Sequence, residues 1–93
     1  MSEMLEGQFV RSLAGHDKGM VYVILKIDQS RVFVTDGALR SVSRPKAKNP
    51  KHLQPIHCMA ASVLNRPATE PPRTDEEVKR AIKLYCTEHC NQK

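Results

Sequence analysis

All four glycines, Gly7, Gly15, Gly19 and Gly37, lie in the first 37 residues, whereas all six prolines lie from Pro45 onward. No other feature constrains the fold as much. Glycine reaches positive φ without a Cβ clash, so glycines set between short apolar segments mark tight turns between strands. Proline lacks a backbone donor and is excluded from the centre of a sheet. The first part of the chain is therefore written for a meander of strands, and the second for extended connections and a terminal element. With 93 residues, the chain has room for one hydrophobic core.

Residues 8–13, 20–27 and 31–35 read as three strands. The second is the clearest, because Met20-Val21-Tyr22-Val23-Ile24-Leu25 is rich in β-branched and aromatic types and too short for a helix. It is apolar on both faces, which predicts burial on both sides, as in a small closed barrel. Asp28-Gln29-Ser30-Arg31 and Asp36-Gly37 supply turns. Leu39, Val42, Leu53 and Ile56 place a fourth strand at about 39–43 and a fifth at about 52–56. Five short strands predict a small SH3-like barrel, whose closure removes exposed edges.

Beyond the barrel, Cys58 to Leu64 reads as a short helix. Residues 65–73, with Pro67, Pro71 and Pro72, read as an extended linker. Thr74 and Glu77 form the capping-box pattern, and Asp75, Glu76 and Glu77 set negative charge at the positive end of a helix dipole. Val78, Ala81, Ile82, Tyr85 and Cys86 then recur at helical spacing, while Lys79, Arg80 and Lys83 face water. The expected organisation is mainly β: a barrel over 1–57, a short helix and Pro-rich linker over 58–73, and an amphipathic C-terminal α-helix over 74–90.

Fifteen Lys and Arg stand against ten acidic residues, a formal charge of +5. The excess is concentrated. Between Gly37 and Thr69 there is no acid, while Arg40, Arg44, Lys46, Lys48, Lys51 and Arg66 are basic and His52 and His57 can add charge. Such a field attracts phosphate-bearing partners, and nucleic acid is the first candidate. Only 4% of residues are aromatic and Trp is absent, so contacts to phosphate and RNA shape are expected over stacking on an aromatic platform.

On a loop bracketed by Pro45 and Pro50, Lys46 and Lys48 are spaced to project together as point charges on phosphate. Arg40 and Arg44 can fork onto phosphate or stack on an unpaired base. The competing reading is a solvated loop whose charge only aids solubility. If the loop binds, replacing Lys46, Lys48 and Lys51 together by Ala weakens binding without unfolding. In the turn Gly15-His16-Asp17-Lys18-Gly19, Asp17 is expected to cap backbone amides, and His16 and Lys18 to reach phosphate from the tip.

Three cysteines are an odd number, which fits a reducing cytoplasm better than a disulfide-held secreted domain. The acidic start and the short longest apolar run, Met20 to Leu25, predict neither a signal peptide nor a membrane span. Cys86, His89 and Cys90 could be joined by His52, His57 or Cys58, but their spacing matches no usual zinc site. Cys86 reads as helix packing. His57 and Cys58, adjacent in sequence, point apart, and no phosphate cradle, paired carboxylate or nucleophile elbow is present. Neither a metal, a cofactor nor catalysis is expected.

The stretch from Gly7-Gln8 through Gly15-His16-Asp17-Lys18-Gly19 to Val23 resembles a KOW motif: a leading Gly-Gln, alternating apolar residues, a Gly-x-Asp-x-Gly turn and a second strand. The likeness continues through Val34-Thr35-Asp36-Gly37, and Arg44-Pro45-Lys46-Ala47-Lys48-Asn49-Pro50-Lys51-His52-Leu53 resembles the basic signature of small bacterial KOW-domain RNA-binding proteins. These are similar to the large-subunit ribosomal protein numbered fourteen in eukaryotes and archaea. Asp75 to Ile82 resembles their terminal helix. The resemblance implies an SH3-like barrel that binds structured, ribosomal RNA without catalysis, with ribosomal proteins as further partners. The binding residues implied are His16, Lys18, Arg40, Arg44, Lys46, Lys48, Lys51 and His52, with Gly15, Asp17, Gly19, Asp36 and Gly37 shaping the turns. The alternative is a protein-interaction module whose helix docks Val78, Ile82 and Tyr85 on a partner.

Overall fold

The computed structural model describes residues 4–67 and 69–89. Five strands, β1 (Gln8–Ser12), β2 (Val21–Ile27), β3 (Val32–Thr35), β4 (Lys46–Lys48) and β5 (Leu53–Met59), form one sheet in the order β4-β3-β2-β1-β5. Every pairing is antiparallel. Two helices follow, α1 (Ala60–Val63) and α2 (Asp75–His89). The chain is mainly β with a C-terminal helix, as the glycine and proline partition predicts. None of the described helices is long and apolar enough to cross a membrane.

The sheet is strongly curled. Across a flat five-stranded sheet the edge strands would lie about 19 Å apart. Here β4 and β5 are joined only by Asn49 and a 3-10 turn, Pro50–His52, which reach about 13 Å at most. The side chains give the same answer directly. Lys48 on β4 reaches the Ser12 hydroxyl on β1 at 2.8 Å, although β3 and β2 lie between them in the ladder. Leu13 donates its amide to the His52 carbonyl at 2.8 Å, which stitches the turn to the end of β1. The result is a barrel-like roll.

Each face of the sheet has its own core. Inside the roll, Val10, Tyr22, Ile24, Val32, Val34 and Leu53 pack together. On the outer face Phe9, Val21 and Val23 meet Ala60 of α1 and Val78, Ala81 and Tyr85 of α2. The rings of Phe9 and Tyr85 stack with centroids 4.8 Å apart. This explains why β2 is apolar on both sides: one face closes the roll, and the other is covered by helix. It also assigns the stripe on α2. Val78 and Tyr85 are buried against the chain's own sheet, so they are not the partner-docking surface that the alternative reading requires.

The fourth strand differs from expectation. Residues 39–43 are not a strand, because side chains close that segment on itself. Asp36 Oδ1 accepts from the amides of both Ala38 and Arg40 at 2.9 Å, and the Thr35 hydroxyl donates to the Arg40 carbonyl oxygen. Those backbone groups have nothing left for a ladder. Leu39, expected to help close the sheet, is 83% exposed. The strand forms instead at Lys46–Lys48, within the segment expected to be a loop, and β5 runs to Met59, past the expected end near residue 56.

The Pro-rich stretch is packed. Pro72 is buried, Pro71 stands against Gly7, and Arg66 meets Glu77 at 3.3 Å. Ala68 lies outside the described residues, as does Cys90. At the start of α2 the Thr74 hydroxyl accepts the Glu77 amide at 3.2 Å. Glu77 returns the contact to the amide of Arg73 at 2.8 Å, one residue before the expected partner. The Arg73 amide first, then the Arg66 guanidinium and, more weakly, the Thr74 amide hold the Glu77 carboxyl below the usual glutamate range.

Gly37 joins the two layers. Its φ is +76°, and a Cβ there would lie 2.6 Å from the carbonyl oxygen of Asp75, in the first turn of α2. At Gly19, with φ +92°, a Cβ would meet nothing within 4 Å. Gly19→Ala therefore incurs only the left-handed cost, roughly 1–2 kcal/mol. Gly37→Ala adds displacement of the helix start, and its loss in urea unfolding should clearly exceed that of Gly19→Ala.

Candidate functional site

The loop between β1 and β2 is a tight reversal. Gly19 donates to the Ser12 carbonyl at 2.8 Å, Lys18 to that of Gly15 at 3.2 Å, and Met20 to that of Asp17 at 2.9 Å. The Arg11 guanidinium reaches the Gly19 carbonyl at 3.1 Å. This leaves His16 and Lys18 exposed at the tip and turns Asp17 back toward the sheet.

Asp17 does more than cap a turn. Its Oδ1 accepts from the Ser12 hydroxyl at 2.9 Å and from Lys48 Nζ at 3.1 Å; its Oδ2 accepts from the Tyr22 hydroxyl at 2.7 Å and from Lys46 Nζ at 3.3 Å. One carboxylate thus collects β1, β2 and both lysines of β4. Burial alone would raise its pKa, but the hydrogen bonds from Tyr22, Lys48, Ser12 and Lys46 together hold it well below the usual carboxylate range. The same contact pushes the Tyr22 hydroxyl far above its ordinary value, through burial first and then the hydrogen bond to Asp17. Two ammonium groups share one carboxylate, so the cluster stays net positive.

The structure divides the predicted binding lysines. Lys46 and Lys48 do project together, as their spacing on a strand requires, but toward Asp17. The Lys48 side chain is 8% exposed and committed to Ser12 and Asp17, so it is a structural cation. Lys46 is 32% exposed and borders open solvent. The assumption that all three lysines of this segment sit on a dispensable loop is corrected: Lys48 is part of the folded interior, and replacing Lys46, Lys48 and Lys51 together would disturb the fold.

A cleft of about 440 Å³ opens above this cluster, lined by His16, Asp17, Met20, Tyr22, Leu39, Arg40 and Lys46. It brings together three predicted binding residues that lie far apart in sequence. His16 comes from the first loop, Lys46 from β4, and Arg40 from the segment that Asp36 and Thr35 lock. Lys51 and His52 are exposed on the 3-10 turn, and Arg44 is exposed before β4. Sequence reasoning missed Met20 and Leu39 as exposed apolar walls, 40% and 83% accessible. It also missed Tyr22 as the partner of Asp17. The one available signal was a tyrosine alternating with valines on a strand, beside a loop carboxylate. Among the described residues, no group of three or more His, Cys, Asp or Glu is placed to hold a metal ion.

Compared with known proteins, the chain matches no family model and no curated protein.

Because the folded pKa of Asp17 is depressed, its contribution to stability is complete above its ordinary value of 3.8 and is lost as pH falls below it. Asp17→Asn should cost roughly 2–3 kcal/mol at neutral pH, less than a fully buried pair because the cleft admits water. It should also flatten the fall in stability below about pH 4, as measured by chemical denaturation across pH.

Proposed function

We propose that this chain is a non-enzymatic RNA-binding module on an SH3-like barrel of the KOW type, acting on structured, ribosomal RNA in the cytoplasm. One observation carries the reading. Basic side chains from three separate segments, His16, Arg40 and Lys46, surround a single cleft, and the one acid lining it is neutralised from beneath by Lys46 and Lys48. The outward field is therefore positive despite a carboxylate in the floor. Lys18, Arg44, Lys51 and His52 extend the exposed basic surface.

The mechanism is electrostatic. Lysines at the rim neutralise phosphates and release counterions, which supplies affinity without reading sequence. Arg40 differs from them because its backbone is fixed by Asp36 and Thr35. The fixed backbone places the base of the Arg40 side chain at the cleft wall, and its planar guanidinium can fork onto a phosphate or stack on an unpaired base. Tyr22 is buried and spends its hydroxyl on Asp17, so it supports the site from below.

If about five cations engage phosphate, log affinity for RNA should fall against log salt with a slope of roughly −3.5 to −4.5. Filter binding at several salt concentrations measures it, and a flat response removes the proposal. Arg40→Ala with Arg44→Ala and Lys51→Ala should weaken binding and reduce the slope by roughly 2.1–2.7. All three side chains are exposed, so the variant should keep its unfolding midpoint. No loss of affinity in the folded variant would remove these loops from the site.

A protein-interaction module is the second reading, favoured by one observation: Leu39 stands 83% exposed beside Met20 on the cleft wall. On that reading Leu39→Ser abolishes capture of a protein partner and leaves RNA affinity unchanged.

A further inference from the structure

A second cleft, of about 400 Å³, lies beside the first and is lined by Gly19, Met20, Val21, Asp36, Lys79, Ile82, Lys83 and Cys86. Met20 lines both. It stands between them as an apolar divider, 40% exposed. The floor of the first cleft is the roll, and the far wall of the second is α2. Lys79 and Lys83 are four residues apart, which sets both on one face of the helix, and both are exposed.

The chemistry on the two sides of Met20 is alike. His16, Arg40 and Lys46 stand on one side beside Leu39; Lys79 and Lys83 stand on the other beside Ile82. Each cleft also has one acid. Asp17 is neutralised by its two lysines, and Asp36 spends Oδ1 on the amides of Ala38 and Arg40. Positive groups thus flank an apolar ridge along a line that crosses from the barrel to the helix.

We propose that the two clefts form one path for a single-stranded RNA segment, with unpaired bases lodged on either side of Met20 and phosphates held by Arg40 and Lys46 at one end and by Lys79 and Lys83 at the other. The inference rests on the RNA-binding reading above and adds α2 to the interface. Charge complementarity selects the occupant. A nucleic-acid strand alternates anionic phosphate with flat apolar base faces, which matches cations set about an apolar ridge. A duplex keeps its bases inside and can use only the cations. The path gives Lys79 and Lys83 a role beyond solubility, and it needs no aromatic platform.

The test uses the full chain, an unstructured oligouridine and a hairpin duplex of equal phosphate count. Lys79→Gln with Lys83→Gln should weaken oligouridine binding and make its salt slope shallower by about 1.4, with a smaller loss on the duplex. Lys83→Gln alone avoids the stem of Lys79 that packs at Gly37 and should give about half the change in slope. Arg73→Gln with Arg80→Gln removes the same charge from exposed positions lining neither cleft and should do less. Met20→Ser should weaken oligouridine binding and leave the salt slope in place. Equal losses from the two double variants, or equal losses on strand and duplex, would reduce the effect to a general field and overturn the path. If the wild type binds RNA with a steep slope and Arg40→Ala weakens it, while Lys79→Gln with Lys83→Gln changes nothing, the path fails and the RNA reading stands. If no RNA binds in a salt-dependent way, both fail, and Lys79- and Lys83-dependent binding of polyglutamate would then assign the clefts to an acidic protein segment.

Discussion

The carboxylate of Asp17 holds this molecule together at the one place where its sheet must close. Strands β1 and β4 are not neighbours in the ladder, so no backbone hydrogen bonds join them. What joins them is an ion pair, Lys48 to Asp17 at 3.1 Å, braced by Ser12. Burying an ammonium group is costly unless its donors are matched, and here they are: Lys48 also reaches the Ala14 carbonyl at 3.4 Å. Among the described residues no buried side-chain polar atom lacks a partner. Such a pair defines geometry more than it adds stability, because a hydrophobic pair of equal volume would pack as well but would not fix the loop above it.

That loop carries the candidate site, so one interaction shapes both the fold and the surface. The tip residues His16 and Lys18 are presented because Asp17, between them, is pulled inward. Lys46 is held at the cleft edge by the same carboxylate, which orients its ammonium group before any ligand arrives. The opposite wall is fixed by different means: Asp36 and Thr35 fold residues 36–40 into a closed loop, and Gly37 allows that loop to lie against the start of α2.

Much of the fold could be read from the residues, and the failures have identifiable causes. Strands β1 to β3 and helix α2 were legible because each carries a periodic apolar pattern bounded by turn or capping residues, as in Met20 to Leu25 or Thr74 to Cys86. The fourth strand was not. Lys46-Ala47-Lys48 contains no large apolar residue, and its inward side is ionic, so hydrophobic alternation carries no trace of it. Leu39 and Val42 misled for the opposite reason, since apolar side chains do not make a strand when Asp36 and Thr35 have consumed the backbone donors and acceptors. The site was legible as a composition: the acid-free segment was visible, but not which of its lysines pointed outward. That depends on a carboxylate some thirty residues upstream, a distance over which local pattern says nothing. Met20, read as the first residue of a buried strand, lies just before β2 and is left in the open between two clefts.

The position of α2 has a consequence for the chain as it is made. Phe9, Val21 and Val23 lie in the first quarter of the sequence, yet their cover comes from Val78, Ala81 and Tyr85 near its end. Strand β1 likewise waits for β5, with Ser12 opposite Leu53 across some forty intervening residues. Contacts of such separation form late, because the loop between them must first be closed at an entropic cost. While the C-terminal segment is still within the ribosome tunnel, the emerging sheet has one bare greasy face and one unmatched edge, the surfaces most prone to self-association. The nascent chain therefore meets an aggregation hazard in the interval between the emergence of β1 to β3 and that of α2, and docking of α2 relieves it.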